Sequence, residues 1–288
     1  MTEPKTHTLD APGAVLHYDV RSNDASTEPV LLLIGSPMGA DGFITLAGHF
    51  TDRTVVTYDP RGAGRSKRTD GALETAVEEH ADDLHRLIDA LGAGPADIFA
   101  TSGGAVNALA LAAEYPEQIR TLVAHEPPSA QELPDREPVL AACEGIKQTY
   151  LREGFGPGMA KFIALVSYPG PIPAGFADQP GPDPASFGLP TVDDGSRDDA
   201  LLRLNMPSCP AYRNDFDALR AAPGRIVVGV GAESSQMIAG RGGIAVAERL
   251  GTTPVTFPGG HDGFVGGEYG GMGKPEEFAA ALREVLND

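Results

Sequence analysis

The chain has 288 residues, 41% of them hydrophobic, and carries a formal net charge of -18 at pH 7. That length suits one α/β core with an insertion, and the negative charge repels phosphate backbones and anionic headgroups, which sets nucleic acid and membrane surfaces aside as partners. Its two cysteines, Cys143 and Cys209, have neither the number nor the spacing of a disulfide framework or a zinc site, so two free thiols are expected.

Residues 1–10 are polar, without the basic start and apolar core of a signal peptide, and no apolar run reaches membrane-spanning length. A soluble cytoplasmic protein is the expectation. Ala14 to Val20 alternates as a strand after the Pro12-Gly13 turn. Val30 to Ile34 is a continuous apolar run suited to a parallel strand buried on both faces, and it ends in the small-residue loop Gly35-Ser36-Pro37-Met38-Gly39. The next strand, Thr54 to Tyr58, runs into Asp59-Pro60-Arg61-Gly62-Ala63-Gly64-Arg65-Ser66, where Asp59 and Arg61 read as scaffold for the loops around a pocket. From Thr75 to Leu91 the residues Val77, Ala81, Leu84, Ile88 and Leu91 recur at helical spacing, with Gly92 at the stop. Strand Asp97 to Ala100 then turns sharply into the helix Ala105 to Tyr115, ended by Pro116, and strand Thr121 to Ala124 runs into His125-Glu126-Pro127-Pro128.

From about Ser129 to Ala222 this alternation stops. Helical pieces near Val139 to Arg152, Gly158 to Val166 and Asp198 to Asn205 surround a stretch rich in proline and glycine between Tyr168 and Pro190. Residues 129–222 are therefore read as a cap inserted into a core made of 1–128 and 223–288. The rhythm resumes with strand Arg225 to Gly231, helix Gly242 to Leu250, strand Thr253 to Phe257 and helix Pro275 to Leu286. Strands alternating with helices predict a mostly parallel sheet with helices on both faces, whose ligands bind at the carboxyl ends of the strands.

The chemistry centres on Ala100-Thr101-Ser102-Gly103-Gly104. A serine between small residues at a strand-to-helix turn is a nucleophile elbow, which projects the hydroxyl and leaves the next N–H beside it. A serine hydroxyl needs a base, an acid to orient the base, and donors for the oxyanion. The base is read as His261, in the glycine-flanked loop after the last strand. His80 and His85, five apart on one helix, do not share a face for a metal. Two carboxylates keep the chain order of nucleophile, acid and histidine: Glu233, after the strand that follows the insertion, and Glu126, after the strand that follows the elbow. Glu233 is preferred and Glu126 kept as the alternative. The oxyanion donors are read as the N–H groups of Gly103 and Ser36, and Met38, Tyr150, Phe155, Met159 and Phe162 as substrate contacts. Tyr168, Phe176, Phe187, Met206 and Tyr212 are further apolar candidates in the insertion.

Taken together, the elbow, the Tyr58-to-Ser66 segment and Gly259-Gly260-His261 resemble the α/β-hydrolase superfamily over nearly the whole chain outside the insertion. The resemblance implies a mostly parallel eight-stranded α/β sheet with helices on both faces, a helical lid between the sixth and seventh strands, and no cofactor. The family commonly has His-Gly where this chain has Ile34-Gly35, and its acid usually stands where Ser234 falls if Gly231 is the strand-end glycine. A serine rather than an aspartate at the elbow points to an acyl-enzyme, hence a serine hydrolase of small or medium carboxylic esters or related acyl compounds acting on a small molecule without a metal. The alternatives are a lyase or cyclase of secondary metabolism that uses His261 as a base, and a binding module whose triad has decayed.

Overall fold

The computed structural model describes residues 3–206 and 208–288. Two antiparallel strands, β1 (Lys5–Ala11) and β2 (Ala14–Arg21), are joined by a turn in which Gly13 adopts φ +75°. The sheet continues through β3 (Leu31–Ile34), β4 (Val55–Asp59), β6 (Ala96–Thr101), β7 (Ile119–His125), β8 (Arg225–Gly231) and β9 (Val255–Phe257), in the order β1-β2-β4-β3-β6-β7-β8-β9. From β4 to β9 every neighbouring pair in that order is parallel, and the two-residue β5 (Lys67–Arg68) pairs β2 at the side.

Successive side chains of a strand point to opposite faces, and the apolar runs supply both. On one face Leu32, Ile34, Val56, Ile98, Ala100, Leu122 and Ala124 pack against α2 (Val77–Leu91), α3 (Gly103–Glu114) and the later helix α8 (Ile238–Leu250). On the other, Leu31, Leu33, Val55, Phe99 and Val123 meet the short α1 (Ile44–Gly48) and the last helix α9 (Pro275–Asn287). Strand β1 carries no legible apolar alternation because its residues are mostly exposed at the sheet edge. Helix α8 begins at Ile238, before the expected Gly242, although glycine weakens a helix interior. The glycines serve close packing: a Cβ on Gly242 would lie 2.4 Å from the Pro127 carbonyl oxygen.

Between β7 and β8 lie α4 (Arg136–Glu153), α5 (Phe155–Val166), a π-helix (Ala200–Asn205), α6 (Ser208–Ala211) and α7 (Phe216–Ala221). Helices α4 and α5 enclose a cluster of their own, with Val139, Ile146, Tyr150, Leu165, Leu202 and Met206, which Ile238 of α8 joins. Phe216 and Leu219 of α7 pack instead with the cluster beneath the sheet. Among the described residues no helix is long and apolar enough to cross a membrane.

Candidate active site

Strand β6 ends at Thr101, and Ser102 takes φ 57° and ψ -130° before α3 starts. A non-glycine residue in that region stores strain, which the surroundings must over-determine. Here the Ser102 N–H donates to the His125 carbonyl at 3.0 Å, and the Ser102 carbonyl accepts from the Ala105 N–H at 3.0 Å. The next two residues must be small: a Cβ on Gly103 would stand 2.6 Å from the Ser36 carbonyl oxygen, and one on Gly104 2.7 Å from that of Ile34. The first turn of α3 therefore lies flush against the loop after β3.

At the end of β7 the backbone again turns left-handed, with Glu126 at φ 49° and its N–H donating to the Gly229 carbonyl at 2.9 Å. This carries the Glu126 carboxylate to the carboxyl end of β8, where it is fully buried. Its Oε2 accepts from His261 Nδ1 at 2.6 Å, while Oε1 accepts from the Gly231 N–H at 2.9 Å and from the Ser234 hydroxyl. Burial alone would raise this carboxyl, but the hydrogen bond and charge of His261, with the hydrogen bond of Ser234, outweigh it and lower the group to about 2. The carboxylate that meets His261 is Glu126 and not Glu233, which corrects the preference drawn from sequence. Glu233 is exposed and pairs with Lys274 at the surface. The next residue, Ser234, turns inward and holds Glu126 from the place where the family usually carries its acid.

Ser36, Ser102, Gly103, Glu126, Ser234 and His261 all line one cavity of about 520 Å³. Of the apolar candidates, Met38, Phe162 and Met206 line it too. Tyr150, Phe155 and Met159 are not among its walls. Tyr150 is fully buried among the helices between β7 and β8, where its hydroxyl accepts the Asp199 N–H at 3.0 Å, and Phe155 and Met159 pack against the same cluster. The walls also include Leu165, Val166, Leu201, Asn205, Met237 and Ile238, and both thiols, Cys143 and Cys209. Both cysteines are free and buried, and burial pushes each thiol up to about 12. Asp59 and Arg61 act as scaffold: Asp59 accepts the N–H groups of Ala40 and Arg65, and Arg61 forks onto Asp83 of α2. Among the described residues no group of three or more His, Cys, Asp or Glu is placed to hold a metal ion.

Two histidines near this site are buried without charge. Burial pushes His125 down to about 3 and His80 down to about 4. An unfolded histidine takes up a proton near pH 6.5, whereas these two stay neutral in the fold to much lower pH. Stability is therefore expected to be full above pH 6.5 and to fall below it, by up to about 1.4 kcal/mol per pH unit for each histidine. Glu126, held low, adds its own loss below its ordinary value of 4.5. Urea unfolding at pH 7 and pH 5 measures this slope, which His80→Gln should roughly halve; a profile flat between those two pH values contradicts it.

Comparison with known proteins agrees with this architecture. A family model described as alpha/beta hydrolase fold matches residues 28–181. The uncharacterized hydrolase YraK of Bacillus subtilis (strain 168) is 32% identical over 287 residues, covering 97% of this chain and 95% of its own length. Among solved structures, a thermophilic esterase from Thermogutta terrifontis superposes with a TM-score of 0.68 at 21% identity, covering 99% of this chain and 98% of the other. The carboxylesterase CesB of Bacillus subtilis does so with a TM-score of 0.65 at 15% identity, covering 99% and 92%. With the family model, the relative matched almost end to end and the parallel sheet with its elbow all in agreement, the chain belongs to the α/β-hydrolase family.

Proposed function

We propose that this chain is a serine hydrolase that cleaves a small or medium carboxylic ester or a related acyl compound through an acyl-enzyme. The observation that carries this reading is the contact of His261 Nδ1 with the buried Glu126 carboxylate at the wall of the cavity that Ser102 also lines. With Nδ1 committed to Glu126, Nε2 is the nitrogen left to take the proton of Ser102 as its hydroxyl attacks the substrate carbonyl. Glu126 fixes that tautomer and stabilises the imidazolium that forms. The Gly103 and Ser36 N–H groups hold the developing oxyanion, and His261 returns its proton to the leaving alcohol. A water deprotonated by the same histidine then attacks the acyl-enzyme and releases the acid.

Phe162, Leu165, Val166, Met206, Met237 and Ile238 give the cavity an apolar wall, and among the described residues lining it there is no lysine or arginine. An uncharged acyl group suits that lining, and the insertion carrying α4 and α5 serves as its cap. The esterase and carboxylesterase of the same fold fit this reading. A complete His261–Glu126 pair also favours catalysis over a decayed binding module.

A panel of nitrophenyl esters of increasing acyl length tests it. Turnover with an initial burst of nitrophenol is expected, with kcat/KM peaking at intermediate length, about four to eight carbons for a cavity of this size. Failure to hydrolyse any member, together with failure on thioesters and lactones, would overturn the reading.

A further inference from the structure

Where the family's loop histidine is missing, a different group holds the loop after β3. Asn205, at the end of the π-helix, is buried and lines the cavity. Its Nδ2 donates to the Ala200 carbonyl at 2.6 Å, an acceptor only, so the amide can face just one way. Its Oδ1 then meets two donors, His80 Nε2 at 3.2 Å and the Ser36 hydroxyl at 3.4 Å. Ser36 is thus tied to Asn205 at its hydroxyl, while its carbonyl lies close enough to Gly103 that a Cβ there would come within 2.6 Å.

The far side of Asn205 is anchored to the core. The Leu204 carbonyl accepts the Thr75 N–H at 3.0 Å, and the Ser208 hydroxyl lies 3.0 Å from the carbonyls of Thr75 and Asn205. Leu204 also fills the space over Gly62, where a Cβ would come within 2.5 Å of its Cδ1. His80 belongs to α2, which Arg61 ties to the loop after β4 through Asp83 and Glu79. The stretch from Ala200 to Ser208 outside Pro207 is therefore seated on the core beside the start of α2. Local departures from α-helical geometry of this kind are frequent at functional sites.

We infer that Asn205 is a positioning residue for the oxyanion loop: bridging His80 and Ser36, it holds the Ser36 N–H in line with that of Gly103. The inference rests on the proposed role of Ser36 as an oxyanion donor. It also divides the insertion by task, with α4 and α5 forming the wall of the pocket and the π-helix forming part of the catalytic frame. An oxyanion donor acts on the transition state rather than on the bound substrate, so its displacement lowers kcat and leaves KM nearly unchanged.

Steady-state kinetics of wild type, Asn205→Ala, Ser36→Ala and the double variant on one ester test this, with fluorophosphonate labelling of each. Each single variant is expected to lower kcat at least about tenfold with KM within about threefold, and the double variant to lose little more than either single one, because both cut the same link. Parallel weakening of a transition-state-mimicking boronic acid is expected. A kcat within twofold of wild type, a change confined to KM, or fully multiplicative losses would overturn the role of Asn205. Should Asn205→Ala fail to fold, Ser36→Ala, which deletes one hydroxyl, decides by the same kcat and KM criteria. Failure of the underlying reading is separate: there the wild type itself would not label, or Ser102→Ala would still label.

Discussion

Glu126→Gln is expected to lower kcat by on the order of 10⁴-fold, while Glu233→Gln stays within about twofold of wild type. A glutamine side chain at this position has the shape of the carboxylate, and its carbonyl oxygen can still accept from the Gly231 N–H and the Ser234 hydroxyl, so the fold should persist. What changes is the atom facing His261 Nδ1. An amide nitrogen there donates, which turns Nδ1 into an acceptor and puts the proton on Nε2, the nitrogen that must be free to accept from Ser102. The imidazolium formed during attack also loses its counter-charge. Glu233, out at the surface on Lys274, has no such task, and pairs of that kind contribute little. Steady-state kinetics beside circular dichroism of the folded variants makes the comparison. A loss under about tenfold for Glu126→Gln, or a large loss for Glu233→Gln, would return the choice to the second carboxylate.

Ser102→Ala carries the larger expected effect, a fall in kcat on the order of 10⁶-fold on any ester the wild type turns over. His261→Ala should cost a similar factor, and the double variant should lose little beyond either one, because the nucleophile and its base act as a unit. The contrast also separates the acyl-enzyme from lyase or cyclase chemistry on the same fold. A lyase that uses His261 as its base would keep turning over after Ser102→Ala and stop after His261→Ala. Single-turnover kinetics on both variants distinguishes the two.

The sheet was legible because its strands are buried on both faces. The run from Val30 to Ile34 can only be covered on two sides, and Leu31 and Leu33 pack on one face while Leu32 and Ile34 pack on the other. Strand β1 was not, since an exposed edge strand held by main-chain pairing to β2 needs no apolar pattern. Short α1 and α7 and the two-residue β5 offer too few residues for a period to show. Ser102 and His261 stood out in the sequence because small residues and glycines bracket them after strands, and the structure places both on the cavity wall.

Which carboxylate meets His261 could not be read from order along the chain, since Glu126 and Glu233 both follow a strand and both precede His261. Side-chain direction within one turn separates the two: Glu233 pairs with Lys274 at the surface, while Ser234 turns inward to the Glu126 that contacts His261. The substrate contacts were blurred for a related reason. Tyr150, Phe155 and Met159 are apolar enough for a pocket, but the helices between β7 and β8 pack around a cluster of their own and use them there. Asn205 carried no sequence signal, being one polar residue at the end of a helical piece whose partners, Ser36 and His80, lie far away in the chain.

The mass of the folded protein and of its peptides after reaction with a fluorophosphonate reads the nucleophile at Ser102 directly. One adduct is expected, on the peptide that contains Ser102, and none on Ser102→Ala. A folded wild type that takes up no adduct, or an adduct that persists in Ser102→Ala, would contradict it.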